Sequence, residues 1–175
     1  MGRVEAVYKD IELDFQRFPA VLAEEFGRAW RAVDQLLSPP DLIVWARRGQ
    51  SITKNSASSL ESPCEYFRAS PAVLRLISSP DLDAWAHAGE QLNQDSPTMA
   101  AAYFRASPET INSLRPGTIA TWAGFGHRLY KGTWKSSSLA SKFFEISPVL
   151  VRFLSDGGLA QFVDFIETIS HRSFD

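Results

Sequence analysis

An all-α right-handed solenoid, with about three repeats of 37–40 residues and a partial unit at each end, is the fold this sequence predicts. Two observations predict it. The first is internal similarity at a fixed period. Trp45-Ala46-Arg47-Arg48-Gly49 recurs as Trp85-Ala86-His87-Ala88-Gly89 and as Trp122-Ala123-Gly124-Phe125-Gly126. Tyr66-Phe67-Arg68-Ala69-Ser70-Pro71 recurs as Tyr103-Phe104-Arg105-Ala106-Ser107-Pro108, and more loosely as Phe143-Phe144-Glu145-Ile146-Ser147-Pro148. Leu37-Ser38-Pro39-Pro40-Asp41-Leu42 matches Ile77-Ser78-Ser79-Pro80-Asp81-Leu82. The second observation is spacing. Leu82, Trp85, Ala86, Gly89 and Leu92 fall at i, i+3, i+4 and i+7, one face of a helix, and no useful stretch alternates at period 2.

The repeats occupy 38–77, 78–114 and 115–154 of a single domain 1–175, between an N-terminal partial unit, 1–37, and a C-terminal cap, 155–175. In the first partial unit Phe15 to Leu22 aligns with Phe67 to Leu74 through a shared Pro-Ala-Val-Leu. Residues 19–37 are expected to form the longest helix, with Leu22, Phe26, Trp30, Val33 and Leu37 facing the first repeat. Ser38-x-x-Asp41 and Ser78-x-x-Asp81 resemble capping boxes opening each Trp helix. Glycine four residues after each Trp costs a helix roughly 1 kcal/mol against alanine. Either a neighbouring helix crosses over the missing side chain, or glycine ends the helix as its C-cap. The stripe continues at Ile52, Leu92 and Leu129, which favours the crossing. Ser96-Pro97 opens the next helix, expected to end near Ala106. Ser70-Pro71 and Ser107-Pro108 read as tight corners opening short third helices that run to Ile77 and Leu114, giving three helices per repeat. In the last unit Leu159, Phe162, Val163, Ile166 and Ile169 replace Leu82, Trp85, Ala86, Gly89 and Leu92, so a side chain returns at the glycine position.

Composition limits what the repeats can do. Hydrophobic residues make up 45% and charged residues 22% of 175, ordinary values for a globular protein. No apolar run reaches the ~18 residues of a membrane span, and residues 1–10 have no apolar core of a signal peptide, so a cytoplasmic location without membrane contact is expected. One cysteine, Cys64, excludes a disulfide framework and a cysteine-based zinc site; Ala101 and Ser141 share its slot, marking a structural position. His87, His127 and His171 have no partner at metal-ligand spacing, and neither His-Glu-x-x-His nor Gly-x-Ser-x-Gly occurs. No enzyme chemistry and no cofactor is therefore expected. An enzyme would need a pocket joining one of these histidines to a carboxylate.

Residues repeated in every unit serve stacking, so function is sought where the repeat breaks. The main irregularity is the basic and aromatic segment 127–135, inside a stretch, 115–154, with six Lys/Arg against one Asp/Glu. His127, Arg128, Tyr130, Lys131, Trp134 and Lys135 form the candidate partner-binding set, and Arg47 and Arg48 sit on the corresponding face of the first repeat. Three readings apply: a solvated helix end with Trp134 folded onto the core, a protein interface centred on Trp, Tyr and Arg, or a nucleic-acid or anion site.

The pattern Leu-x-x-Trp-Ala-x-x-Gly-x-x-Leu, followed by Tyr/Phe-Phe-Arg-Ala-Ser-Pro-x-x-Leu, resembles helical repeats of large bacterial von Willebrand factor A-domain proteins, over residues 37–170. These are related to the activators of nitric oxide reductase and of rubisco. In that family an Asp-x-Ser-x-Ser metal motif works with a hexameric AAA+ ATPase that remodels a metalloenzyme. This chain has no Asp-x-Ser-x-Ser, so no residue role carries over. The predicted solenoid is HEAT- or armadillo-like in general form, and the resemblance implies a helical scaffold region of a larger activator or adaptor, with an AAA+ ATPase as one partner. A non-enzymatic protein-interaction scaffold is the expected function, and nucleic-acid or anion binding through 127–135 is the alternative.

Overall fold

The computed structural model describes residues 18–56, 59–132 and 136–172. Among these residues there are helices and no strands. The helices are α1 (Ala20–Val33), α2 (Pro39–Asn55), α3 (Glu61–Val73), α4 (Ser79–Asp95), α5 (Pro97–Ile111), α6 (Ile119–Gly132), α7 (Ser137–Phe153) and α8 (Asp156–Arg172). Helices α1, α3, α5 and α7 pack in succession along one layer, and α2, α4, α6 and α8 along a second. The apolar stripes face each other between the layers.

Serines start several of these helices. Ser38 Oγ accepts from the Asp41 N–H at 3.4 Å, and Ser96 and Ser136 cap Met99 and Leu139 in the same way. Ser78 donates to the Asp81 carboxylate at 2.8 Å but makes no backbone cap. Asp41 also accepts the Ser79 hydroxyl of the next repeat at 2.6 Å.

The expected Ser-Pro corners are absent. Pro71, Pro108 and Pro148 lie inside α3, α5 and α7, so the short third helices do not exist as separate elements. A helical proline removes one hydrogen bond and crowds the carbonyl four residues back, at about 3 kcal/mol. The serine before each proline is tied into the core. Ser70, Ser107 and Ser147 are fully buried; each donates to the carbonyl four residues earlier, at 2.7–2.8 Å. Each also accepts the indole N–H of Trp45, Trp85 or Trp122, at 2.8–2.9 Å. Serine before proline is here an anchor for tryptophan rather than a helix cap.

The core is a ladder of rings. Phe67, Phe104 and Phe144 meet Trp45, Trp85 and Trp122 edge-on at 5.4–5.5 Å. Tyr66 stacks on Trp85 of the following repeat at 5.1 Å while its hydroxyl donates to the Trp45 carbonyl of its own at 2.9 Å. Tyr103 does the same between Trp122 and Trp85. Each glycine after Trp lies within its helix, not at its end, and beneath a ring: a Cβ at Gly49, Gly89 or Gly126 would overlap Phe67, Phe104 or Phe144. Close crossing, not C-capping, explains these glycines. In α8 the equivalent Ile166 packs half-buried against the core.

Two N-terminal expectations are corrected. Helix α1 has 14 residues and is shorter than the 17-residue α2, α4, α7 and α8. The aligned Phe15 to Arg17 lie outside the described residues, and the alignment itself has the wrong register. Phe26 stacks on Trp45 at 5.8 Å as Tyr66 does on Trp85, so Phe26, Ala29 and Val33 are the counterparts of Tyr66, Ala69 and Val73. The ring contact sets the register; the shared Pro-Ala-Val-Leu does not.

Candidate functional site

Side chains of the second layer tie neighbouring helices together, and one gap between them differs from the rest. Between α2 and α4, Arg48 donates to Asp83 at 2.9 Å and to Glu90 at 2.7 Å, and Ser51 adds a bond to Glu90. Beneath them the buried Asn93 donates to the Ile52 carbonyl at 3.1 Å and accepts the Ser56 hydroxyl. Between α6 and α8, Arg128 grips Glu167 through two bonds of 2.7 and 2.9 Å and also reaches Asp164. The two carboxylates, Glu167 foremost, raise the Arg128 guanidinium further above its already high basicity.

The α4/α6 gap lacks such a clamp. Ala88 stands where α2 has Arg48, Ala120 where α4 has Asp83, and His127 where α4 has Glu90, counting from each tryptophan. With alanine at two of these three positions, the gap holds a groove of about 610 Å³. Its floor is small and apolar, with the buried Ala88, Leu92 and Ala123, and the exposed Ala120 lies at its edge. Its rim carries His87, Gln91, Gln94, Asp95, His127 and Lys131. His127 Nδ1 lies 2.8 Å from Asp95 Oδ2, and the Tyr130 hydroxyl donates to the Asp95 backbone carbonyl at 3.1 Å. The half-exposed His87 lies 3.9 Å from Glu90. Lys131, one turn beyond His127, is exposed and makes no ion pair among the described residues.

The eight sequence candidates therefore separate. His127 and Lys131 come together in the groove, with Tyr130 half-buried behind them. Arg48 and Arg128 are tied to carboxylates of their own chain. Arg47 is exposed on α2, away from the groove. Trp134 and Lys135 lie outside the described residues. His87, Asp95 and Gln91 were not among the candidates. Comparing repeats position by position would have found them, because the arginine–carboxylate set is present in one unit and missing from the next.

The groove does join a histidine to a carboxylate. Among the described residues its lining holds no serine, threonine or cysteine. Cys64 is buried in α3, and desolvation pushes its thiol upward, away from the reactive thiolate. Among the described residues no three His, Cys, Asp or Glu side chains are placed to hold a metal. No helix among them is long and apolar enough to cross a membrane. Comparison with known proteins finds no matching family model, no matching curated protein and no matching solved structure.

Proposed function

We propose that this protein is a non-enzymatic interaction scaffold, a right-handed α-solenoid whose repeats present a binding surface to another protein in the cytoplasm. The observation that carries the reading is the one second-layer gap without an arginine–carboxylate clamp among the described residues. The α2/α4 and α6/α8 gaps are closed by arginine–carboxylate pairs, while the α4/α6 gap is an open groove with a polar rim. Solenoids bind through extended surfaces of this kind. Nucleic-acid binding loses force because Arg48 and Arg128, two of the cations it needs, are neutralised within the chain.

The test is affinity capture of the tagged chain from its own cell lysate, with and without nuclease, and mass spectrometry of what is retained. A protein partner that survives nuclease supports the scaffold. An AAA+ ATPase among the captured proteins would support the resemblance to the A-domain activators as well. Partners that vanish with nuclease, or recovery of nucleic acid alone, would overturn it.

A further inference from the structure

We propose that the α4/α6 groove binds an acidic segment of a partner protein, with an aspartate or glutamate side chain of that segment seated between His127 and Lys131. This rests on the scaffold reading and specifies the chemistry of its partner.

The argument begins with the two neighbouring gaps. In each, the chain supplies both a cation and the carboxylates that meet it. In the α4/α6 gap both halves of the clamp are replaced, the arginine by Ala88 and the carboxylates by Ala120 and His127, and the exposed cation Lys131 follows one turn further on. The other charges around the groove are already matched. Glu90 belongs to Arg48, Arg128 belongs to Glu167 and Asp164, and Asp95 is engaged by His127. What remains is Lys131, and the Nε2 of His127, which makes no hydrogen bond among the described residues. With Nδ1 2.8 Å from Asp95, the doubly protonated form of His127 has its Nε2–H left to donate to an incoming carboxylate. Lys131 supplies the second charge-assisted contact. The alanine floor and Leu92 accept the methylenes that carry the carboxylate, and a groove of about 610 Å³ has room for several residues of an extended chain. An acidic peptide is thus complementary in both charge and shape.

The experiment is fluorescence anisotropy of a labelled octaglutamate peptide titrated with the whole chain, with an octamer of thymidylate as the comparison probe. Saturable binding is expected, weakened about tenfold or more by Lys131→Glu, which reverses one of the two contacts. Ala120→Phe, at an exposed position, fills the groove and should abolish binding without disturbing the core. Arg47→Glu, exposed but outside the groove, should change the affinity less than about twofold, as expected for a distant surface charge screened by salt. The proposal is overturned if octaglutamate does not bind, if Lys131→Glu and Ala120→Phe bind as the wild type does, or if Arg47→Glu weakens binding equally. Tighter binding of the thymidylate octamer, lost in Lys131→Glu, would also overturn it and make the groove a nucleic-acid site. A partner captured from lysate equally well by Lys131→Glu would remove the groove from the scaffold while leaving the scaffold standing.

Discussion

The Trp85 indole N–H donates to Ser107 Oγ at 2.9 Å, and the Ser107 hydroxyl in turn donates to the Tyr103 carbonyl at 2.8 Å. The serine is thus a buried relay between two helices, and Trp45–Ser70 and Trp122–Ser147 repeat it. Ser107→Ala should leave the indole N–H without a partner and cost about 1–3 kcal/mol. Trp85→Ala removes the ring as well and should cost about 3–5 kcal/mol. Urea unfolding of both variants checks the order. A Trp85→Ala protein of unchanged stability would contradict the ladder of rings.

The glycines give a prediction of opposite signs. At Gly89 any side chain runs into Phe104, whereas at Gly27, inside α1, nothing lies within 4 Å of an added Cβ. Gly89→Leu should overpack the crossing and cost about 1–3 kcal/mol or more. Gly27→Ala should gain about 0.5–1 kcal/mol from helix propensity alone. Ile166→Gly, at the half-buried end, should only loosen α8. Thermal melts followed by circular dichroism separate the three; a harmless Gly89→Leu would mean that Phe104 does not cover the glycine.

Legibility in the sequence follows the range of the forces involved. The helical class and the core rings were readable because burial imposes periodicity, and Trp45, Trp85 and Trp122 each recur on one stripe and are each at most 1% exposed. Ser-Pro was misread because its local meaning, a helix cap, was overridden by a bond to a tryptophan 22–25 residues away. The place of Phe26 was hidden for a related reason: the stacking that defines it joins two helices. At the site, the sequence singled out His127 and Lys131 by their departure from the repeat. It also singled out Arg48 and Arg128, whose partners Asp83, Glu90, Asp164 and Glu167 lie 35–42 residues away. A cation met by the next repeat and a cation left for a ligand look the same until those partners are placed.

The ties between repeats should differ in strength according to burial. Glu90 keeps only 11% of its side chain exposed, so Arg48→Ala strands a mostly desolvated carboxylate. A loss of about 1–3 kcal/mol is expected. Arg28, with 62% of its side chain exposed, pairs with the exposed Glu24 and with the buried Glu25, which Arg68 still holds when Arg28 is removed, so replacement by alanine should lose less than about 0.5 kcal/mol. A second change, Glu90→Gln in the Arg48→Ala background, should recover part of the loss. Chemical denaturation of the wild type and these three variants compares the losses, and equal losses at Arg48 and Arg28 would refute a structural role for the α2/α4 clamp.

Alkaline pH probes the rings directly. Tyr66 and Tyr103 are fully buried, and desolvation holds both phenols well above their ordinary value. In the unfolded chain they ionise near 10. A group with a raised folded value contributes stability that is fully present below the unfolded value and is lost as pH climbs above it. The wild type should therefore lose stability steeply between about pH 10 and 11, as unfolding releases protons from the two phenols. Tyr66→Phe/Tyr103→Phe gives up two hydrogen bonds to the Trp45 and Trp85 carbonyls, about 0.5–1.5 kcal/mol each at pH 8. In exchange its dependence on alkaline pH should be shallower. Urea titrations at pH 8 and pH 11 compare the two slopes. Equal slopes would mean that the phenols ionise freely in the folded state, which is incompatible with rings stacked on Trp85 and Trp122 at 5.1 and 4.8 Å.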